Sequence, residues 1–126
     1  MAKGACPCGS GLSYDECCGP LHRGASAADT AEQLMRSRYS AFAVGDADYL
    51  LRTWHEATRP SSLDLDAAQR WVGLEILDTR TGGLSDRAGT VEFRALFRFG
   101  RRTEELHERS RFVRVDGAWV YVGPLP

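Results

Sequence analysis

Four cysteines, Cys6, Cys8, Cys17 and Cys18, crowd the start of the chain, and the remaining sequence has none. Four thiols in one short loop supply the ligand set of a closed tetrahedral zinc site. Disulfides fit poorly. Bridging Cys6 to Cys8, or Cys17 to Cys18, closes very small and strained rings. Cross-pairing the two pairs would staple only a small loop, and a reducing cytosol works against it. Redox-active thiols are the rival chemistry. The intervening residues suit a metal loop. Pro7 fixes one φ angle and stiffens the first chelate arm. Gly9 and Gly11 can adopt positive φ and turn backbone N–H groups toward sulfur. Asp15 and Glu16 predict a short helical turn before Cys17. So small a segment has no core of its own, so the metal would supply its folding energy. A site filled by four cysteines has no open position, which implies a structural or docking role. His22 is the nearest other ligand candidate, and with four cysteines present it is expected at the surface or an interface.

A second set of residues could hold a ligand or move a proton. Leu34, Arg38 and Phe42 recur at helical spacing, which puts the Arg38 guanidinium inside an apolar stripe. A cation there must be paired. Leu106, Glu108, Ser110 and Phe112 share one strand face, so Glu108 is the expected partner; Glu92 takes that place if the faces are reversed. Two readings follow: a buried Arg–Glu brace that fixes helix register, or an anion-binding or acid/base cavity. Trp54-His55 is the next candidate. His55 has the proton-transfer chemistry of imidazole, but a histidine at a helix C-terminus is also favoured by the dipole alone. Tyr39 joins the candidate cavity set, although it and Trp119 also suit the core. His107 falls on the opposite strand face from Glu108, with Arg109 and Arg111, and is expected in solvent.

The elements that must position these groups are legible in the pattern. Gly19 to Ala28 is rich in Gly, Ala and Ser and reads as a hinge or linker. Thr30 and Gln33 form a capping box, and apolar residues from Ala31 to Ala43 follow helical spacing. Gly45 ends that helix. Asp46 caps a second, short helix ending near His55. Leu63 to Gln69 is expected to form a third. Then the period becomes two. Strands are expected over Trp71 to Thr79, Thr90 to Phe99, Thr103 to Val115 and Ala118 to Val122, with Asp116-Gly117 as a tight hairpin turn. Helices followed by an antiparallel meander predict an α+β fold with helices on one sheet face.

Three resemblances follow. Cys6-Pro7-Cys8-Gly9-Ser10-Gly11, then Tyr14 and Cys17-Cys18, resembles the SEC-C zinc motif. That resemblance implies structural Zn²⁺ held by Cys6, Cys8, Cys17 and Cys18. It also implies docking to a protein or the ribosome, because the same motif in the preprotein translocase ATPase contacts a chaperone or the ribosome. The helices and meander resemble the cone-shaped nuclear transport factor 2-like fold, in which a cavity lies between helices and a concave sheet. Taken together, with Arg36 to Phe42, Thr53-Trp54-His55, Thr58-Arg59-Pro60 and Glu108 to Phe112, the chain resembles the YchJ family of small bacterial proteins. The expected division is a zinc knuckle over 1–24 and the cone over 25–126. This implies a zinc-binding accessory or adaptor protein whose cone binds a small ligand or a partner. The alternative is a small hydrolase or isomerase using Arg38, His55 and a carboxylate. Many cone proteins pair through their sheets, so a homodimer is an option the resemblance brings.

Composition narrows the classes. The chain has 126 residues, 43% hydrophobic and 26% charged, enough for one domain with a true core. Net charge is −1, which speaks against a nucleic-acid coat. Fifteen arginines face a single lysine, Lys3. Those on the strands read as a solvated outer face paired to Glu75 and Glu92, with RNA contact as the sharper alternative. No apolar run is long enough for a membrane helix, and Met1 to Gly11 has no signal-like apolar stretch. A cytoplasmic protein is expected. Walker, dinucleotide and nucleophile-elbow motifs are absent.

Overall fold

The computed structural model describes residues 4–125. A 3₁₀ turn over Tyr14–Glu16 leads into α1 (Cys18–His22), then α2 (Ala31–Val44) and α3 (Ala47–Arg52). Four strands follow: β1 (Gln69–Thr81), β2 (Ala88–Phe99), β3 (Arg102–Val115) and β4 (Ala118–Pro124). They form one antiparallel meander in the order β1-β2-β3-β4. α2 lies across the sheet, in contact with β1, β2 and β4.

Local chemistry sets these boundaries. The Thr30 side chain accepts from the Gln33 N–H at 3.1 Å, and Asp46 Oδ1 accepts from the Tyr49 N–H at 3.0 Å. Gly45 closes α2 in the left-handed region, at φ 82°. The alternation of β2 puts Val91, Phe93 and Ala95 into the core against Leu34, Met35, Tyr39, Phe112 and Trp119. On the outer sheet face, Arg94 pairs with Glu75 at 3.1 Å and Arg109 with Glu92 at 2.8 Å, as the strand pattern predicts. His107 is exposed there and bonds Glu92 through Nε2 at 2.7 Å.

Three expectations need correction. Leu63 to Gln69 forms no helix: Leu63 and Leu65, two residues apart, pack against the Tyr49 and Leu50 cluster, which an extended segment allows and a helix does not. The stretch read as a hinge begins with α1, whose Leu21 and His22 are buried. His22 is therefore not a surface residue. Its Nε2 donates to the Ser37 carbonyl at 2.8 Å, which leaves Nδ1 to accept from the Tyr14 hydroxyl at 2.5 Å. Burial with both nitrogens satisfied makes it an anchor between α1 and α2.

The β1–β2 turn is held at close quarters. The Ala31 N–H donates to the Gly82 carbonyl at 2.9 Å, docking the turn on the start of α2. A Cβ at Gly89 would meet Gly82 Cα at 2.5 Å, where only backbone could yield. Gly89→Ala should thus destabilise the fold by about 1–3 kcal/mol, seen as a lower denaturant midpoint with unchanged slope. Gly123→Ala, with open space around it, should stay within about 0.5 kcal/mol. Phe112, fully buried, should lose about 3–5 kcal/mol on truncation to alanine by the same measurement.

Candidate metal centre and cavity

The cysteine loop is built by backbone turns and anchored by α2. Gly9 and Gly11 adopt φ of 80° and 89°, the left-handed region that the loop requires. The Cys6 N–H donates to the Leu12 carbonyl at 2.9 Å and closes the loop base. From α2, Arg36 donates Nη1 to the Cys8 carbonyl at 2.9 Å while its Nε is held by Glu32 at 3.0 Å. The Ser40 hydroxyl lies 3.5 Å from Cys6 Sγ. Ser10 donates its hydroxyl to Cys17 Sγ at 3.2 Å.

All four cysteines are free thiols, and their sulfurs lie within 4.8 Å of one another. Cys8 and Cys17 are 3.7 Å apart, Cys17 and Cys18 3.9 Å. A tetrahedral thiolate cage with metal–sulfur bonds of about 2.3 Å has edges of about 3.8 Å. The donor set therefore fits a bound metal ion. Three of the sulfurs, on Cys6, Cys8 and Cys18, belong to buried residues of the main core. Charge within the cluster is uneven. The hydrogen bond from Cys18, helped by Ser10 and opposed by burial, pulls the Cys8 thiol down to about 4. Giving that bond, and being buried, pushes Cys18 up; burial pushes Cys17 up. Without a cation, one thiolate suppresses ionisation of its neighbours. A divalent ion reverses this and lets each sulfur bind as a thiolate.

The second site lies between α2 and the sheet. A cavity of about 120 Å³ takes polar groups from Arg38, Trp54, Glu108, Ser110 and Tyr121. Its apolar walls are Met35, Phe42, Phe93 and Leu106. Arg38 is 4% exposed, and its guanidinium carbon sits 4.5 Å from the Tyr121 ring centre and 5.0 Å from that of Trp54. Nη1 donates to the Leu50 carbonyl and to Thr53 Oγ1, both at 2.8 Å. Burial pulls the Arg38 pKa down to about 10, so it remains a cation near neutrality. Glu108 Oε2 accepts from the Tyr121 hydroxyl at 2.9 Å and from Ser110 Oγ at 2.5 Å. Burial first, then the Glu108 charge, raises the Tyr121 pKa and keeps its proton in place as a donor.

The cavity thus joins Arg38, Trp54 and Glu108, but the anticipated direct Arg38–Glu108 pair is replaced by contact through Tyr121. Three other candidates lie elsewhere. Glu92 is on the outer face, engaged by His107 and Arg109, because β2 alternates and Phe93 takes the inward position. His55 turns its Nδ1 to accept from the Ala57 N–H at 3.0 Å, while its own N–H donates to the Tyr121 carbonyl at 2.7 Å. The end of α3 is pinned to β4 by backbone, and the imidazole serves its own loop. Tyr39 is core, edge-on to Trp71 at 5.8 Å. The sequence reading missed Ser10, Arg36 and Ser40 beside the sulfurs, and Tyr121 in the cavity. Only Tyr121 left a signal, its alternation with buried Trp119 along β4.

No helix among the described residues is long and apolar enough to cross a membrane. Residues 30–124 match the family described as YchJ, middle NTF2-like domain, and residues 5–20 match the SEC-C motif. A UPF0225 protein of Streptomyces coelicolor is 64% identical over 96% of this chain and 94% of its own length. One from Chromobacterium violaceum is 50% identical over 99% of this chain and 95% of its own. The solution structure of a SEC-C motif containing protein from Rhodopseudomonas palustris superposes with a TM-score of 0.82 at 38% identity, covering 95% of this chain and 96% of that one. The crystal structure of another, from Psychrobacter arcticus, gives 0.78 at 34% identity over 94% and 80%. With the cysteine loop, the helices and the meander all accounted for, the chain belongs to the UPF0225 (YchJ) family of SEC-C and NTF2-like proteins.

Proposed function

We propose that this protein is a non-catalytic accessory protein in which the cysteine loop holds one structural Zn²⁺ and the cone cavity seats a small ligand. The observation that carries the first half is the place of the sulfurs: Cys6, Cys8 and Cys18 are buried within the main core cluster. Four cysteine ligands leave no coordination position for a substrate, and borderline-soft Zn²⁺ suits an all-thiolate tetrahedron. The outer turn of the loop is the docking face. Ser10, Gly11, Asp15 and Glu16 are exposed around Leu12, which is 52% exposed. Binding rather than catalysis is supported by the cavity lining, which includes no histidine, and by Ser110, whose buried hydroxyl is committed to Glu108.

Metal analysis of purified protein should give one zinc per chain. Chelation, or Cys8→Ser, should remove the ion and lower the melting temperature, since the sulfurs share the core. Metal-free protein with an unaltered melting curve would sink the zinc reading. For docking, the wild type should co-sediment with ribosomes, while Leu12→Asp keeps its zinc and melting temperature but stays in the supernatant. Equal sedimentation of the two removes the turn as the docking face, and a wild type that stays in solution removes the ribosome as the partner.

A further inference from the structure

Arg38 and Glu108 border one cavity, carry opposite charge, and are each only partly engaged. Trp54 and Tyr121, edge-on to each other with ring centres 5.3 Å apart, both lie against the guanidinium, and Nη1 is taken by Leu50 and Thr53. Nε and Nη2 make no hydrogen bond among the described residues. Those two donors form the side-on edge that matches a carboxylate in bidentate fashion. Glu108 shows the complementary pattern. Both hydroxyl donors, Ser110 and Tyr121, go to Oε2, and Oε1 receives none among the described residues. Tyr121 holds the two apart, with the cation on its ring and the carboxylate at its hydroxyl.

This pattern selects among ligand charges. An anion alone would gain Arg38 but meet Glu108. A cation alone would gain Glu108 but meet Arg38. Each mismatch is felt strongly where water is scarce. A molecule carrying both charges a few bonds apart satisfies both walls. The cavity, at about 120 Å³, is smaller than the roughly 300–1,000 Å³ of an ordinary ligand pocket, which favours a small molecule. We propose that the cavity binds a small α-amino acid as its zwitterion, the carboxylate on the Nε/Nη2 edge of Arg38 and the ammonium on Glu108 Oε1. A short aliphatic side chain then lies toward Met35, Phe42 and Phe93. The inference rests on the reading of this cavity as a ligand seat and names the ligand class.

The test titrates the zinc-loaded full chain with glycine, alanine, acetate, methylammonium and acetamide, following heat and the side-chain N–H resonances of Arg38 and Trp54. Glycine or alanine should bind at least about tenfold more tightly than acetate, methylammonium or acetamide and move the Arg38 Nε–H signal. Glu108→Gln should erase the advantage over acetate. Arg38→Lys should weaken alanine by about tenfold or more, because an ammonium lacks the bidentate edge. Should Arg38→Lys fail to fold, Leu106→Arg tests the same seat from its more exposed rim, where it should block alanine without unfolding the chain. Acetate or acetamide binding as well as alanine overturns the zwitterion and leaves a ligand seat standing. No response to any of the five at tens of millimolar overturns both.

Discussion

Four sulfurs gathered in and beside the core are the constraint on which this structure depends. Cys6, Cys8 and Cys18 stand among Leu34, Met35, Tyr39 and Phe93. Thiols can occupy such a place as small hydrophobes. Several thiolates cannot do so without a counter-ion, because isolated charge in an apolar interior is very costly. The surroundings prepare for such an ion without replacing it. Ser10 and Ser40 offer hydroxyls near sulfur, and Arg36 brings its cation to the loop backbone at Cys8. The contacts from Arg36 and Ser40 also fasten the loop to α2, so its cysteines share one core with the rest of the described residues.

Arg38 shows a different solution to the same problem. An ion pair with Glu108 would have been the direct way to bury the guanidinium, and desolvation can outweigh what such a pair gains. Here the charge rests in the corner formed by two aromatic rings, Trp54 and Tyr121, that meet edge-on, and is attracted to them. It then donates to a carbonyl that the end of α3 leaves without an intrahelical partner, that of Leu50. Tyr121 is the shared member: its ring serves the cation and its hydroxyl serves the carboxylate. The geometry holds opposite charges at the cavity without letting them collapse onto each other.

The parts legible in the sequence were those whose cause is local. Thr30 and Asp46 cap with their own neighbours, Gly45 needs only its φ, and the period of β2 assigns Val91, Phe93 and Ala95 inward without knowledge of the fold. The four cysteines were legible because their spacing alone brings them together. What failed depends on contacts distant along the chain. His22 reads as a polar residue beside a Gly-rich stretch until α1 docks and offers it the Ser37 carbonyl. His55 lies next to Trp54 in sequence, yet the backbone pairing with Tyr121 directs it away from the cavity that Trp54 lines. Leu63 and Leu65 resemble the start of a helix, but the Tyr49 and Leu50 cluster selects an extended path.

One helix serves both sites. Residues in α2 advance by about 100° each, so positions two apart point to nearly opposite sides. Arg36 and Ser40, four apart, reach the cysteine loop. Arg38 and Phe42, four apart and two further on, line the cavity. A rotation of α2 that improved one set of contacts would displace the other. The capping of both ends, by Thr30 and Gly45, and the docking of Ala31 on the β1–β2 turn remove that freedom. Filling the sulfur cage would add a third restraint on the same helix, applied at its face opposite the cavity. The rigidity of the cysteine loop and the spacing of Arg38 from Glu108 are therefore set by the same fourteen-residue segment, Ala31–Val44.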